Sequence, residues 1–284
     1  MTSLTIHLRG IWRRPFKRVP IRTAQSIVDA VQEATGRRDP LLPPRALNFV
    51  GGSDDFETAG HEFLKHFVEI GGLKPDDRVL DIGSGVGRMA VPLTRYISSR
   101  GEYQGLEIVR VGVDWCRSNI TPRFPHFRFQ WADVYNKSYN PAGKSQPADY
   151  RFPFEDGRFS FVFLTSVFTH MLPAETAHYL SEIARVLRPG GRCFATFFLL
   201  NAESKAQIRM GKSTPPFPHA GEGYMTFKKR APELAIAFEE EWVRDRHQSA
   251  GLRVLEPIRY GSWCARGSYT SYQDIVLSEK ARGA

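Results

Sequence analysis

The sequence predicts an α/β protein: a seven-stranded, mainly parallel sheet with helices on both faces and an antiparallel last strand. Three observations predict it. From Arg78 onward, short apolar runs alternate with helical patterns. The run "FSFVFL" (159–164) is apolar almost throughout, as a strand covered on both faces should be. The last two strand patterns, "RVLEPIRYG" and "QDIVLSEK", have no helix between them and so pair antiparallel.

The elements follow in order. "TAQSIVDAVQEATG" (23–36) reads as a short helix stopped by Gly36, and Pro and Gly then break regular structure up to "GGSDD". "DDFETAGHEFLKHFVEIGGL" reads as a helix. Phe56, His61, Phe63, Leu64, Phe67 and Ile70 recur at helical spacing, and Gly71-Gly72 closes it. "RVLDIG" is the first strand, and "GRMAVPLTRYISS" a helix in which Pro92 is tolerable only near the first turns. "EYQGLEI", "RVGVDWCRSNI" and "FRFQWADV" give strand, helix, strand. After the fourth strand, "AETAHYLSEIARVLRPGG" is a helix that follows Pro173 and ends at Pro189-Gly190-Gly191. "RCFATFFLL" is the fifth strand and "PELAIAFEEEWVRDRHQSAG" a late helix. Long polar segments at 135–157 and about 201–230 interrupt this rhythm near carboxyl ends of strands, where open α/β sheets bind ligands.

Composition narrows the class. With 42% hydrophobic and 12% aromatic residues, the 284-residue chain can build a sizeable core. No run of about 18 apolar residues occurs, and the N-terminus lacks the pattern of a secretory signal. The three cysteines are scattered and form no CxxC, so neither a disulfide framework nor a metal site is expected. A cytoplasmic setting fits. The net charge is +9, and Met1 to Arg45 carry nine Arg/Lys against three acids, a net of six. "LRGIWRRPFKRVPIR" mixes those cations with apolar residues. It reads as a solvated leader, an organelle transit peptide, or an arm for an acidic surface. Anionic lipid, which would make the protein membrane-peripheral, is preferred there over nucleic acid.

"DRVLDIGSGVGRMAV" (77–91) carries the chemistry. A nucleoside-triphosphate loop needs Lys-Ser or Lys-Thr, absent here. A dinucleotide turn needs GxGxxG, but Arg88 stands at the third position and the third glycine comes early, at Gly87. Asp81 precedes Gly83 by two residues. A carboxylate there would repel a pyrophosphate at the following helix N-terminus and would accept from an ammonium group. The turn therefore suits a zwitterionic or cationic ligand, approached by backbone that lacks Cβ atoms.

With these landmarks in order, "VLDIGSGVGR" resembles the first motif of the class I S-adenosylmethionine-dependent methyltransferases. "YQGLEI" looks like the family's second strand ending in an acid, Glu107, and "QWADV" like its third, ending in Asp133. "FEDGRFSFVFLTSVF" and "EIARVLRPGGRCFATF" resemble the fourth strand, the helix with its Pro-Gly-Gly turn, and the fifth strand. The resemblance covers about residues 49–280. It implies a Rossmann-like fold and S-adenosylmethionine as cofactor, with S-adenosylhomocysteine as product and no metal. It places Asp81, Gly83, Ser84, Gly85, Gly87, Glu107, Ile108, Asp133, Val134 and Thr165 on the cofactor. Glu107 would take the ribose hydroxyls, and Asp133 would lie near the adenine amino group. One departure is Ser160, where many relatives carry Asp.

His170, in "LTSVFTHML", is the expected general base, because an imidazole titrates near neutrality. Many relatives carry a histidine after a similar run. The tetrad of amino-methylating nucleic-acid enzymes is replaced by Thr165-Ser166-Val167-Phe168, and no Pro-Cys nucleophile occurs. What remains is methylation of a hydroxyl or amine on a small molecule: a saccharide, a lipid-linked compound or a natural product. The ending "GSWCARGSYTSYQD" resembles tails of bacterial methyltransferases near saccharide pathways. Phe56, Tyr224, Trp263 and Arg266 are the expected acceptor contacts, with 201–230 as a lid. Residues 1–48 are read as a partly helical basic extension and 49–284 as the catalytic domain. RNA methylation through the basic arm and cofactor binding without turnover are the competing readings.

Overall fold

The computed structural model describes residues 56–282 and, before them, residues 29, 31–32, 35–36 and 38–49. Most of the basic arm, and most of the helix read at 23–36, lie outside the described residues. Helices are α1 (Phe56–Glu69), α2 (Ala90–Leu93), α3 (Arg110–Asn119), α4 (Pro173–Val186), α5 (Ala202–Arg209) and α6 (Glu240–Ser249). Strands are β1 (Arg78–Ile82), β2 (Glu102–Glu107), β3 (Phe127–Trp131), β4 (Phe159–Leu164), β5 (Leu187–Phe197), β6 (Leu199–Leu200), β7 (His219–Ala220), β8 (Tyr224–Thr226), β9 (Ile236–Glu239), β10 (Leu252–Val254) and β11 (Asp274–Lys280).

Seven strands form one sheet in the order β10-β11-β5-β4-β1-β2-β3. β4 runs parallel to both β1 and β5, β2 runs parallel to β3, and β11 runs antiparallel to β5 and β10. This is the predicted mixed sheet with an antiparallel last strand. The chain divides into two compact units. One holds the residues up to Asp77 with Gly83–Lys144, and the other holds Arg78–Ile82 with the chain from Ser145 onward.

In the first unit, Tyr103 and Phe127 stack at 4.8 Å between β2 and β3. α1 buries Phe56, Gly60, His66 and Phe67, and Gly72 in a left-handed conformation ends it. The helix read over "GRMAVPLTRYISS" shrinks to Ala90–Leu93 flanked by turns. Pro92 has no N–H to continue the helical ladder, and the residues after it mix i→i+3 bonds, such as Arg95 N–H to Pro92 O, with four-apart ones, such as Ile97 N–H to Leu93 O.

In the second unit every residue of β4 is buried. Ser160 Oγ accepts the Arg78 amide at 2.9 Å, which is the use this chain makes of the position where relatives carry Asp. Arg185 of α4 clamps the segment before β4. It donates to the carbonyls of Phe152 and Phe154 and pairs with Glu182 and Asp156.

Two further expectations change here. Pro189-Gly190-Gly191 is not a turn before the strand but a bulge inside β5: Phe159 pairs with Leu187 and Phe161 with Arg192. The late helix begins only at Glu240, because "IAFE" is strand β9 and Pro232–Leu234 a 3-10 turn. β9 belongs to a second sheet, β6-β9-β8-β7, of which β7 and β8 lie in the 201–230 insertion, which also carries α5. "IAFE" buries its first three residues between β6 and β8, and that pairing outweighs the helical character of "AFEEEW".

Candidate functional site

The glycine turn leaves β1 after Asp81 and Ile82. Asp81 is buried at the end of the strand. Gly83, Gly85 and Gly87 all have positive φ (84°, 58° and 83°), which a residue with Cβ adopts only at a cost. The turn is tied to β2, since the amides of Gly83 and Ser84 both donate to the Leu106 carbonyl.

Glu107, the last residue of β2, is buried and closes this half of the site. Its Oε2 accepts the Gly85 amide and its Oε1 the Val109 amide, each at 2.7 Å. Burial pushes its carboxyl above the ordinary range, while backbone N–H donors from Val109, Gly85 and Ile108 pull the other way. Both oxygens face donors already, and the carboxylate keeps acceptor capacity beyond those bonds. Gly112, in the first turn of α3, lies so near that a Cβ there would be 2.5 Å from the Gly85 carbonyl. Ser84 Oγ is buried and makes no hydrogen bond.

Asp133 and Val134 follow β3. The Lys144 amide reaches the Asp133 carbonyl at 3.1 Å, and Asn140 Nδ2 the Val134 carbonyl at 2.9 Å, so the loop folds back on this strand end. Tyr139, in the same loop, was not anticipated from the sequence. Burial raises its phenol above the usual range, and the negative charge of Glu107 adds to this. One tyrosine in a polar loop carries no periodic signal that could have singled it out.

In the second unit, Thr165 and Ser166 follow β4, and Phe168–His170 form a 3-10 turn. His170 is half-buried, with Nδ1 3.0 Å from the Glu233 carbonyl. Burial lowers its pKa below the ordinary value of 6.5, and contacts with Glu233 and Leu234 partly offset this. Glu175 lies within reach of the Glu233 charge, and its carboxyl is raised, mainly by burial.

The four residues expected on the acceptor are placed differently from one another. Phe56 is buried at the start of α1 and borders a small cleft with Leu42, His61, Arg88 and Arg95. Tyr224 is half-buried on β8, with Gly221 against its ring. Trp263 and Arg266 turn inward, with 1% and 4% exposure. The Trp263 indole donates to Asp274 at 2.7 Å and Arg266 Nη1 donates to Asp274 at 2.8 Å. Arg266 also lies over the rings of Tyr260 and Trp263. Phe217, within the segment expected to be a lid, is fully buried against Phe198 and Trp263.

Sheet order and glycine turn together define the class as a Rossmann-like methyltransferase fold, for which S-adenosylmethionine is the cofactor. Residues 80–195 match the family model described as a methyltransferase domain. Among solved structures, the chain resembles a protein of Pyrococcus horikoshii at TM-score 0.55 and 16% identity, covering 87% of this chain and 98% of that one. The YcgJ protein of Bacillus subtilis matches at TM-score 0.50 and 16% identity, over 79% and 100%. Magnesium protoporphyrin IX methyltransferase from Synechocystis, solved with S-adenosylhomocysteine bound, matches at TM-score 0.50 and 14% identity, over 92% and 98%. At such identities these likenesses speak to the fold. Among the described residues no helix is long and apolar enough to cross a membrane.

Proposed function

We propose that this protein transfers the methyl group of S-adenosylmethionine to a hydroxyl, or an amine, of a small-molecule acceptor, with His170 taking the proton. The observation that carries this reading is the state of His170. Its Nδ1 meets the Glu233 backbone carbonyl, which can only accept, so a proton sits on Nδ1. Burial keeps the ring neutral near pH 7. A neutral imidazole after the fourth strand can accept a hydroxyl proton as the new bond to carbon forms.

The donor side fits the chain's own residues. Gly83, Gly85 and Gly87 bring backbone close without side chains, and Ser84 contributes a buried hydroxyl with bonding capacity to spare. Glu107 receives the ribose hydroxyls on its remaining lone pairs, with Ile108 beside it. Asp81 takes the ammonium, Asp133 and Val134 border the adenine, and Thr165 adds a backbone contact. The cofactor supplies a methyl on a positively charged sulfur, a centre open to direct in-line displacement. The protein's share is alignment, exclusion of water and removal of the acceptor proton. Phe56 and Tyr224 serve the acceptor directly. Trp263 and Arg266 act from behind, by bracing the chain before β11.

The test is methyl transfer from radiolabelled S-adenosylmethionine to pools of saccharides, lipid-linked sugars and phenolic compounds, with RNA as a separate pool. Label in a small-molecule pool is the expected outcome, lost in His170→Ala while S-adenosylhomocysteine still binds. Label in RNA alone, or full turnover by His170→Ala, would sink the reading.

A further inference from the structure

Ser166 holds φ at 60°, a left-handed conformation that is strained for a residue with a side chain. A ring of side chains fastens it. The Ser166 amide donates to Thr196 Oγ1 at 2.7 Å. The Thr196 hydroxyl donates to Gln273 Oε1 at 2.6 Å. Gln273 Nε2 donates back to Ser166 Oγ at 3.0 Å, and Ser166 Oγ also meets Thr169 Oγ1 at 3.3 Å. Thr196 and Thr169 are fully buried and Gln273 nearly so. All three bonds run in one rotational sense, so each polarises the next.

The ring joins three chain segments that meet only in the folded sheet: the exit of β4, the end of β5 and the entry to β11. Glycine at position 166 would adopt this φ with neither strain nor ring. A strained residue, locked by buried partners where a strand of an open α/β sheet ends, marks a backbone whose direction matters to a ligand.

We propose that Gln273 is a positioning residue for the cofactor. Acting through Thr196 and Ser166, it sets the direction of the Thr165–Ser166 backbone against which the cofactor is held. This rests on the cofactor contact assigned above to Thr165. Gln273 touches neither reacting atom. Its effect is transmitted by the ring.

The experiment uses the full chain and S-adenosylhomocysteine as probe, titrated calorimetrically well below the unfolding temperature of each variant. Gln273→Ala and Thr196→Val are expected to weaken binding about tenfold. Thr196→Ser, which keeps the hydroxyl, should bind as the unaltered protein does. Adding Ser166→Gly to Gln273→Ala should restore most of the affinity, because glycine takes the left-handed conformation unaided. A purely structural role would lower thermal stability and leave the affinity of the folded protein unchanged, and that result overturns the proposal. Should Gln273→Ala not fold, Ser166→Ala trims a single hydroxyl from a half-exposed residue, and unchanged affinity there overturns it equally. Absence of binding by the unaltered protein would instead overturn the cofactor contact, and the ring's role with it.

Discussion

A Cβ built on Gly60 would lie 2.7 Å from the carbonyl oxygen of Arg88 and 3.3 Å from Pro92 Cγ, so α1 meets the chain after the glycine turn backbone to backbone. Pro92 has no N–H to offer that carbonyl, and Gly60 is what lets α1 come so near it. The turn is thereby braced from behind by a helix with no sequence motif of its own.

Gly60→Ala is therefore expected to destabilise the protein by about 1–3 kcal/mol despite alanine's better helix propensity. Denaturant unfolding measures it. A neutral or stabilising result would show that α1 shifts freely away from the turn.

Glu107 is expected to govern cofactor affinity through its charge. Its carboxylate already holds two amides, and only the ionised form has acceptors on both oxygens for the ribose. Because burial raises its pKa above 4.5, S-adenosylhomocysteine affinity should fall with falling pH at a higher pH than an ordinary glutamate would give. Glu107→Gln sets an NH2 group against a backbone N–H. It should weaken binding at least tenfold and flatten the profile, as titration from pH 8 to 5 would read out.

Asp274 should be the most sensitive position of the carboxyl-terminal region. It is fully buried and accepts from Arg266, the Trp263 indole and the amides of Leu199 and Gly261. Burial pushes its carboxyl up to about 6, against the pull of those donors. Asp274→Asn leaves the buried Arg266 guanidinium with Glu203 as its ionic partner and the Gly261 carbonyl as acceptor, and is expected to cost about 3 kcal/mol in denaturant unfolding. A loss under 1 kcal/mol would mean that Glu203 and the Gly261 carbonyl suffice to hold Arg266.

His247 should make stability depend on pH below neutrality. It is fully buried beside Phe197, with Nδ1 donating to the Val243 carbonyl, and burial pulls its pKa down to about 4. The unfolded chain takes up this proton near pH 6.5, the folded chain only near 4. The depressed pKa therefore contributes stability that is present above pH 6.5 and lost as pH falls toward 4, by up to about 3 kcal/mol. Thermal melts from pH 7 to 4.5 should fall more steeply for the unaltered protein than for His247→Leu. Parallel slopes would remove His247 from the account.

The glycine turn and the acids at the strand ends were legible in the sequence. Their determinants are local: a glycine turn needs glycines at fixed spacing, and an acid at a strand end needs only the strand before it. Asp81, Glu107 and Asp133 could be placed from their own segments, and the parallel sheet from alternating periods. The short α2 and the strand "IAFE" were not legible. Pro92 interrupts a helix that composition favours, and "IAFE" is strand only because β6 and β8 flank it.

The sequence by itself determined the fold class, the methyl donor and the strand ends at which Asp81, Glu107 and Asp133 stand, because those depend on backbone conformation and residues close in the chain. Only the tertiary structure decided that Trp263 and Arg266 turn inward onto Asp274. It alone closed the ring of Ser166, Thr196 and Gln273, whose members lie up to 107 residues apart. Hydrogen-bond partners of buried polar groups are chosen by proximity in space, and the order of residues along the chain does not encode it.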